Sequence, residues 1–478
     1  MPTVMRGPQL ARLLGTWQGR GPEYLALATT LRGLVTDGRV ALGVRLPAER
    51  ELAEALGVSR TTVTAAYRVL RESGHLTSRR GSGSWTALPR GGRVGTNGLW
   101  APGSAPDMID LGCAALPAPP ELGDAAREAV ADLPAYAGGA GYHPTGLPVL
   151  REAVATWFAT RGLPTSPEQI MVTNGVQHAL DLVLRLVTAP GEHTLVESPS
   201  YPNALAALAA RRVRVATTGL TGDGWDADLL TSALRQGRPR AAYLIPDFHN
   251  PTGHLMPVRL REVLPAVAHT AGTDLIVDES FVDLSLDGQE APPPVAAFDR
   301  HARVITIGGM SKPYWGGMRI GWVRAGAPLV QRLAAIRVGV DMAGPVLDQL
   351  LAVRLLARSA TVVPARRELL RGQRDALVAA LRERLPAWRF TVPAGGFALW
   401  AELDAPVSSA LARAVEDLGV RLAPGPLFGV DGTMERFLRL PYTLPAAELR
   451  EAVERIARAR ADLDWGTPRP WQSPSLVA

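Results

Sequence analysis

The chain has 478 residues, 47% of them hydrophobic, enough to fill large cores and, by length, roughly two to four domains. No apolar run reaches the ~18 residues of a membrane span, the first residues lack the apolar core of a secretory leader, and one cysteine, Cys113, excludes an internal disulfide and a cysteine-rich zinc cage; a cytoplasmic protein without a structural metal is expected. The net charge of +6 is unevenly placed, because residues 1–90 hold 13 Arg against 6 Asp and Glu, the asymmetry of a nucleic-acid-binding module joined to an ordinary globular body.

Residues 8–20 carry Leu10, Leu13, Leu14 and Trp17 at helical spacing and read as a packing arm. From Pro22, the spacing of Leu25, Leu27, Leu31, Leu34 and Val35 predicts a helix that stops at Asp37-Gly38. A turn through Gly43 to Ala48 opens a second helix, Glu49 to Leu56, which Gly57 breaks. Ser59 is a natural N-cap for a third, Arg60 to Ser73, closed by Gly74. Two short strands follow, His75 to Ser78 and Ser84 to Thr86, around the basic turn Arg79-Arg80-Gly81-Ser82-Gly83. Helix, short turn and helix place the second helix in a major groove, with hydroxyls and a guanidinium in its first turn where base edges and phosphates lie. The bland alternative is a small helical domain with a hairpin that binds nothing. Charge, turn chemistry and wing together favour DNA.

Pro22 to Thr86 resembles the winged helix-turn-helix of the GntR family. The resemblance rests on Leu46-Pro47-Ala48-Glu49-Arg50, on Leu56-Gly57-Val58-Ser59-Arg60-Thr61-Thr62-Val63 and on Gly81-Ser82-Gly83-Ser84. It implies that Arg50, Ser59, Arg60, Thr61 and Thr62, with the wing residues Arg79, Arg80, Gly81, Ser82 and Gly83, touch a double-stranded operator.

Residues 89–107 are rich in Gly and Pro, lack periodicity and read as a linker between a DNA-binding unit at 1–88 and a body at 108–465, with a loose tail at 466–478. Along the body, candidate strands at Ile170–Thr173, Thr194–Glu197, Ala242–Ile245, Leu275–Val277, Val304–Ile307 and Ile320–Val323 alternate with helical stretches such as Val176–Val187, Asn203–Ala210 and Leu260–Thr270. That alternation predicts an α/β fold on a mainly parallel sheet. A smaller α+β part is expected after about residue 345.

Lys312 is the only lysine; the other 50 cationic side chains are arginine. A guanidinium stays protonated and cannot attack a carbonyl, whereas an amine of lowered pKa can, so the one retained lysine suggests Schiff-base chemistry. Other chemistry-bearing residues follow strand ends, where ligands of open α/β sheets sit. Gly175-Val176-Gln177 opens a helix whose free N–H groups suit a phosphate, and Arg319 adds a clamp. Asp278 at a strand end needs a cationic partner such as a pyridinium nitrogen. Tyr201 is placed to stack on a ring, Asn250 to donate to a phenolate oxygen, and Lys312 to form an aldimine. Taken singly, each has an ordinary structural reading: Asp278 as a helix cap, Tyr201 as core, Asn250-Pro251-Thr252-Gly253 as a turn.

Ile109 to Arg460 resembles the fold-type I aminotransferases, through Asn250-Pro251-Thr252-Gly253, Ser311-Lys312 and Arg319-Ile320-Gly321. The resemblance implies pyridoxal 5'-phosphate held by Lys312, Asp278, Asn250, Tyr201, Gly175, Val176, Gln177, Ser311 and Arg319. It also implies that Tyr142 reaches the phosphate of a neighbouring subunit's cofactor and that Arg439 holds an α-carboxylate. The whole layout, a winged helix before an aminotransferase-like body, is that of the MocR family of pyridoxal-phosphate-dependent transcriptional regulators. It implies a head-to-tail homodimer and an amino compound, or the cofactor itself, as effector. The chain departs from the pattern at Phe281, where a tyrosine usually binds the phenolate oxygen, and at Gly308-Gly309-Met310, where a serine often binds phosphate. Both losses point away from efficient turnover. The alternative is a functional aminotransferase with an accessory DNA-binding module.

Overall fold

The computed structural model describes residues 4–18, 22–79, 83–88, 108–430 and 432–462. The wing residues Arg80, Gly81 and Ser82, the whole of the expected linker and the expected tail lie outside them.

The N-terminal unit opens with α1 (Gly7–Leu14), which is shorter than expected because Gly15 caps it at φ 54 and turns the chain before Trp17. Leu10, Leu14 and Trp17 are buried, so the segment is a packing arm, laid on α3 (Glu49–Leu56) with the Gly7 N–H donating to Glu51 Oε1 at 2.7 Å. α2 (Glu23–Thr36) and α4 (Arg60–Glu72) share an apolar core of Leu27, Leu31, Val63, Tyr67 and Leu70. The Tyr67 hydroxyl donates to the Pro47 carbonyl at 3.0 Å, tying the turn before α3 to the same core. Antiparallel β1 (Leu76–Arg79) and β2 (Gly83–Thr86) form the hairpin, and Thr86 Oγ1 donates to Ala41 O at 2.6 Å to seat it.

β3 (Ile109–Asp110), α5 (Leu122–Asp132) and α6 (Pro148–Thr160) lead into an eight-stranded sheet. Its strands are β4 (Ile170–Thr173), β5 (His193–Ser198), β6 (Arg214–Thr221), β7 (Gly224–Trp225), β8 (Ala241–Leu244), β9 (Asp274–Asp278), β10 (Val304–Gly309) and β11 (Gly321–Arg324), in the order β4-β11-β10-β9-β8-β5-β6-β7. β6, β5, β8, β9 and β10 run parallel, and β11 and β7 run against their neighbours. Helices α7 (Val176–Val187), α8 (Pro202–Ala210), α9 (Ala227–Gly237), α10 (Val258–Ala271), α11 (Ala327–Val338) and α12 (Val346–Leu356) cover it. Alternation along single strands divides the two apolar layers: Leu275 and Val277 enter one, Ile276 the other. β6 escaped the sequence reading because Arg214-Val215-Ala216-Thr217-Thr218 lacks the continuous apolar run of the central strands.

α13 (Ser359–Arg384), β12 (Ala398–Glu402), α14 (Ser408–Glu416), β13 (Val420–Arg421), β14 (Ala423–Pro424), β15 (Phe437–Pro441) and α15 (Ala446–Asp462) build the smaller part around the sheet β12-β15-β14. It begins later than residue 345, because Leu350, Ala352 and Leu355 of α12 pack into the large body. It also recruits the start of the body: β3 pairs with β13, and Leu111 and Leu116 join its core.

Candidate functional site

The parallel register brings the chemistry to one edge. Ile307 pairs with Asp278, and Leu244 with Val277, so the turns after β10, β9 and β8 open side by side. Asp278 is buried and accepts from Tyr243 Oη at 2.7 Å, Ser280 Oγ at 2.5 Å and the Ser280 N–H at 3.0 Å. Burial pushes its pKa up, while those donors and the Lys312 charge oppose the rise. Three donors and a nearby cation hold the carboxylate ready for a positive partner. Tyr243 and Ser280 were missed in the sequence; only the pairing of β8 with β9 shows that Tyr243 lies beside Asp278.

Lys312 Nζ donates to the Ala114 carbonyl at 2.8 Å and lies 5.5 Å from the ring centres of both Phe281 and Phe397. Burial, helped by the Arg439 charge, lowers its pKa to about 8. Phe281 is buried and meets Phe397 edge-on, so an apolar ring stands where the resemblance leads one to expect a tyrosine. Ala114, Asn250, Phe281 and Phe397 line one small cavity. Asn250 starts a turn closed by the Gly253 N–H on His249 O at 2.6 Å and by His249 Nδ1 with Thr252 Oγ1 at 2.9 Å.

The phosphate-type cradle is built from close backbone approach. Gly175 caps α7 at φ 87, and a Cβ there would meet the Arg319 guanidinium at 2.7 Å. Arg319 Nη2 donates to Asn174 O at 2.9 Å, which holds its fork over the helix N-terminus. Gly321 must be glycine, since a Cβ would meet the Gly175 carbonyl carbon at 2.6 Å and the Val176 nitrogen at 2.7 Å. Val176 lies in the first turn, and Gln177 Nε2 donates to Asn203 O at 3.2 Å while its Oε1 is buried without a partner among the described residues. The Gly308 and Gly309 departures have a physical reason. A Cβ at Gly308 would meet the Trp322 Nε1 at 2.8 Å, and one at Gly309 the Ile320 carbonyl at 2.8 Å.

Tyr201 accepts from Asn203 Nδ2 at 2.8 Å, and the charges of Asp278, Arg439 and Arg319 all act on its hydroxyl, whose pKa burial raises. Arg439 on β15 is 2% exposed; it donates to the Gly112 carbonyl, its guanidinium lies 5.1 Å over the Phe428 ring, and its Nε has no partner among the described residues. Burial pushes its pKa down to about 10. A buried guanidinium with a free N–H invites an anion. Ser311 is half-buried beside Lys312, with no polar contact among the described residues that bears on the cluster. Tyr142 is 62% exposed. The residues present fit such a cofactor at three points: a cationic fork over a helix N-terminus, a buried carboxylate and an amine of lowered pKa.

In the DNA-binding unit, Ser59 Oγ accepts from the Thr62 N–H at 3.1 Å and contacts Thr61 Oγ1 at 2.7 Å and Thr62 Oγ1 at 2.8 Å. Arg50, Ser59, Arg60 and Thr61 are exposed at the start of α3 and α4, and Arg60 approaches Glu49 at 3.8 Å. Gly83 opens β2 at φ 96; the wing turn itself is outside the described residues. Among the described residues no group of His, Cys, Asp and Glu is arranged to hold a metal, and no helix is long and apolar enough to cross a membrane.

Residues 106–456 match the family of class I and II aminotransferases, and residues 23–85 match the bacterial regulatory proteins of the gntR family. The HTH-type transcriptional regulator TauR of Rhodobacter capsulatus is 29% identical over 91% of this chain and 96% of its own. The probable rhizopine catabolism regulatory protein MocR of Rhizobium meliloti is 29% identical over 63% of this chain and 65% of its own. Among solved structures, LysN, an alpha-aminoadipate aminotransferase of Thermus thermophilus complexed with N-(5'-phosphopyridoxyl)-L-leucine, is similar with a TM-score of 0.68 and 32% identity, covering 74% of this chain and 92% of that one.

Proposed function

The chain belongs to the class I and II aminotransferase family, in the MocR-type layout with a GntR helix-turn-helix ahead of the body, and from this membership we propose that it is a regulator whose body holds pyridoxal 5'-phosphate on Lys312 and senses that cofactor or an amino compound joined to it. The carrying observation is that Asp278 and Lys312 follow neighbouring strands closely enough for the lysine charge to act on the carboxylate, beside a helix N-terminus clamped by Arg319. When bound, the cofactor supplies an electrophilic carbonyl and an electron-withdrawing ring. Lys312, with its pKa near 8, offers the neutral amine that holds it. Asp278 would pair with the pyridine nitrogen, Tyr201 would cover the ring and Asn250 would donate to its oxygen. Gly175, Val176, Gln177, Ser311 and Arg319 would hold the phosphate. Arg439 receives the carboxylate of an amino compound, which fits a relative that acts on an amino acid.

The operator is read by Arg50, Ser59, Arg60, Thr61 and Thr62 and steadied by the wing. Tyr142, exposed here, is free to reach the neighbouring subunit of a head-to-tail dimer, in the cytoplasm where operator DNA lies. In the single chain described, the DNA-binding unit rests on its own body, where the Met434 N–H donates to Thr36 O at 2.9 Å. In an exchanged dimer the partner's unit fills that same seat.

Regulation is favoured over turnover by Phe281, which leaves the ring oxygen one donor short. The test is a visible spectrum of the purified protein with pyridoxal phosphate. A yellow band in the wild type that is absent from Lys312→Ala supports the reading, and a wild type that stays colourless with added cofactor overturns it.

A further inference from the structure

Resting on that reading of the pocket, we infer that the Asp37-Gly38-Arg39 turn of the DNA-binding unit is the joint through which pocket occupancy reaches the DNA-binding helices, and that Met434 and Ser198 are its receiving ends in the body. The turn follows α2, whose last residue Thr36 takes the Met434 N–H on its carbonyl at 2.9 Å. Gly38 is at φ 67, and a side chain there would run into the Met434 methyl and lie 3.2 Å from Ser198 Oγ. On the other side, a Cβ on Gly219 of β6 would meet Arg39 O at 2.7 Å, Arg39 C at 3.1 Å and Gly38 O at 3.1 Å. The turn is thus wedged backbone to backbone into the body.

Both receiving ends lead directly into the pocket. Ser198 ends β5 three residues before Tyr201, and the Ser200 N–H donates to Phe428 O at 2.9 Å. Met434 precedes β15, which carries Arg439, and its own carbonyl is braced by the Phe437 N–H at 2.9 Å. That brace presses on Gly425, where a Cβ would meet Phe437 O at 2.6 Å; Gly425 opens the short turn to Phe428, the ring under the Arg439 guanidinium. A carboxylate drawn to Arg439, or a ring under Tyr201, therefore pulls on the same few backbone segments that grip the turn.

The grip is narrow. Two clefts of about 480 Å³ each flank Asp37, one toward Arg32, His75 and Arg436, the other toward His254, Arg389 and Trp400. A turn flanked by two such clefts has room to shift between two seatings. Within the DNA-binding unit, α2 shares its core with the recognition helix α4, so movement of the turn carries α4 with it.

The test is hydrogen exchange by mass spectrometry on the full-length protein, before and after adding pyridoxal phosphate, alone and with an equimolar mixture of the proteinogenic L-amino acids. Peptides covering 34–40, 196–202 and 425–439 are followed in the wild type and in Gly219→Ala. This variant wedges the seat while leaving pocket side chains in place, and Gly38→Ala repeats the wedge from the other side. We expect exchange in 34–40 to change by about fivefold or more together with 425–439 in the wild type. In Gly219→Ala, 34–40 exchanges faster from the start and no longer responds, while 425–439 still does. A wild type in which 425–439 responds and 34–40 does not overturns the joint, as does a Gly219→Ala protein that keeps the full response. A protein whose pocket peptides and visible spectrum ignore the cofactor overturns the reading of the pocket, and the inference with it.

Discussion

Lys312 meets two opposing demands, an enclosed site that disfavours its charge and a carboxylate, Asp278, that favours it. Burial and the Arg439 charge win, and the amine is lowered to about 8, so about one in ten molecules is neutral at pH 7. The sign follows directly: only the neutral amine attacks a carbonyl. The rate of cofactor attachment to the apo protein should rise about tenfold per pH unit below 8 and level off above it. Rapid-mixing absorbance checks this. In Arg439→Gln the removed positive charge should move the plateau to higher pH. Phe281 makes a separate prediction. Phe281→Tyr restores a donor to the phenolate oxygen and should raise amino-acid to keto-acid conversion on the order of tenfold or more. Wild-type conversion at the rate of working aminotransferases would contradict the regulatory reading. Lys312 and Asp278 were legible because residue type alone narrows their chemistry. Tyr243 and Phe397 were not, because an apolar or aromatic residue signals core wherever it stands.

At the scale of elements, the recognition helix and the phosphate cradle depend on backbone ends. Ser59→Ala removes the cap that accepts from Thr62, which should cost the DNA-binding unit about 1 kcal/mol, seen as a lower denaturation midpoint with weakened DNA binding. Gly321→Ala forces a Cβ into the Gly175 and Val176 backbone and should cost about 1–3 kcal/mol. Calorimetry and cofactor titration together should show both stability and cofactor affinity falling. The helices α3 and α7 could be read to the residue because Gly57 and Gly175 punctuate them and their periodicity is clean. β6 was unreadable because its alternating, partly polar face lacks the buried run of its neighbours. The glycines at 308 and 309 looked like losses of function; they are also packing requirements set by Trp322 and Ile320, which only the folded strand pair reveals.

The whole molecule joins a basic reader to a pocket through the Asp37-Gly38-Arg39 turn, beside which Arg12 approaches Asp228 at 4.0 Å and Leu229 packs on the reader's core. The charge asymmetry announced the two units, but no linear pattern announces that Thr36 meets Met434 or that Gly219 faces Gly38. These are contacts between segments far apart in the chain. Asp37 at this contact is raised to about 6 by burial, with Arg436 and Arg39 opposing, a further sign that the turn is enclosed by the body. Reciprocal linkage requires that anything bound differently in two arrangements of the units also shifts DNA affinity. The most direct measurement is therefore the affinity of the full-length protein for an operator selected from random-sequence DNA. It is made without and with pyridoxal phosphate, alone and with the amino-acid mixture, for the wild type and Lys312→Ala at one fixed salt concentration. A shift of about fivefold or more in the wild type and none in Lys312→Ala is expected. Equal responses, or no response from either, would contradict control of the reader by the pocket.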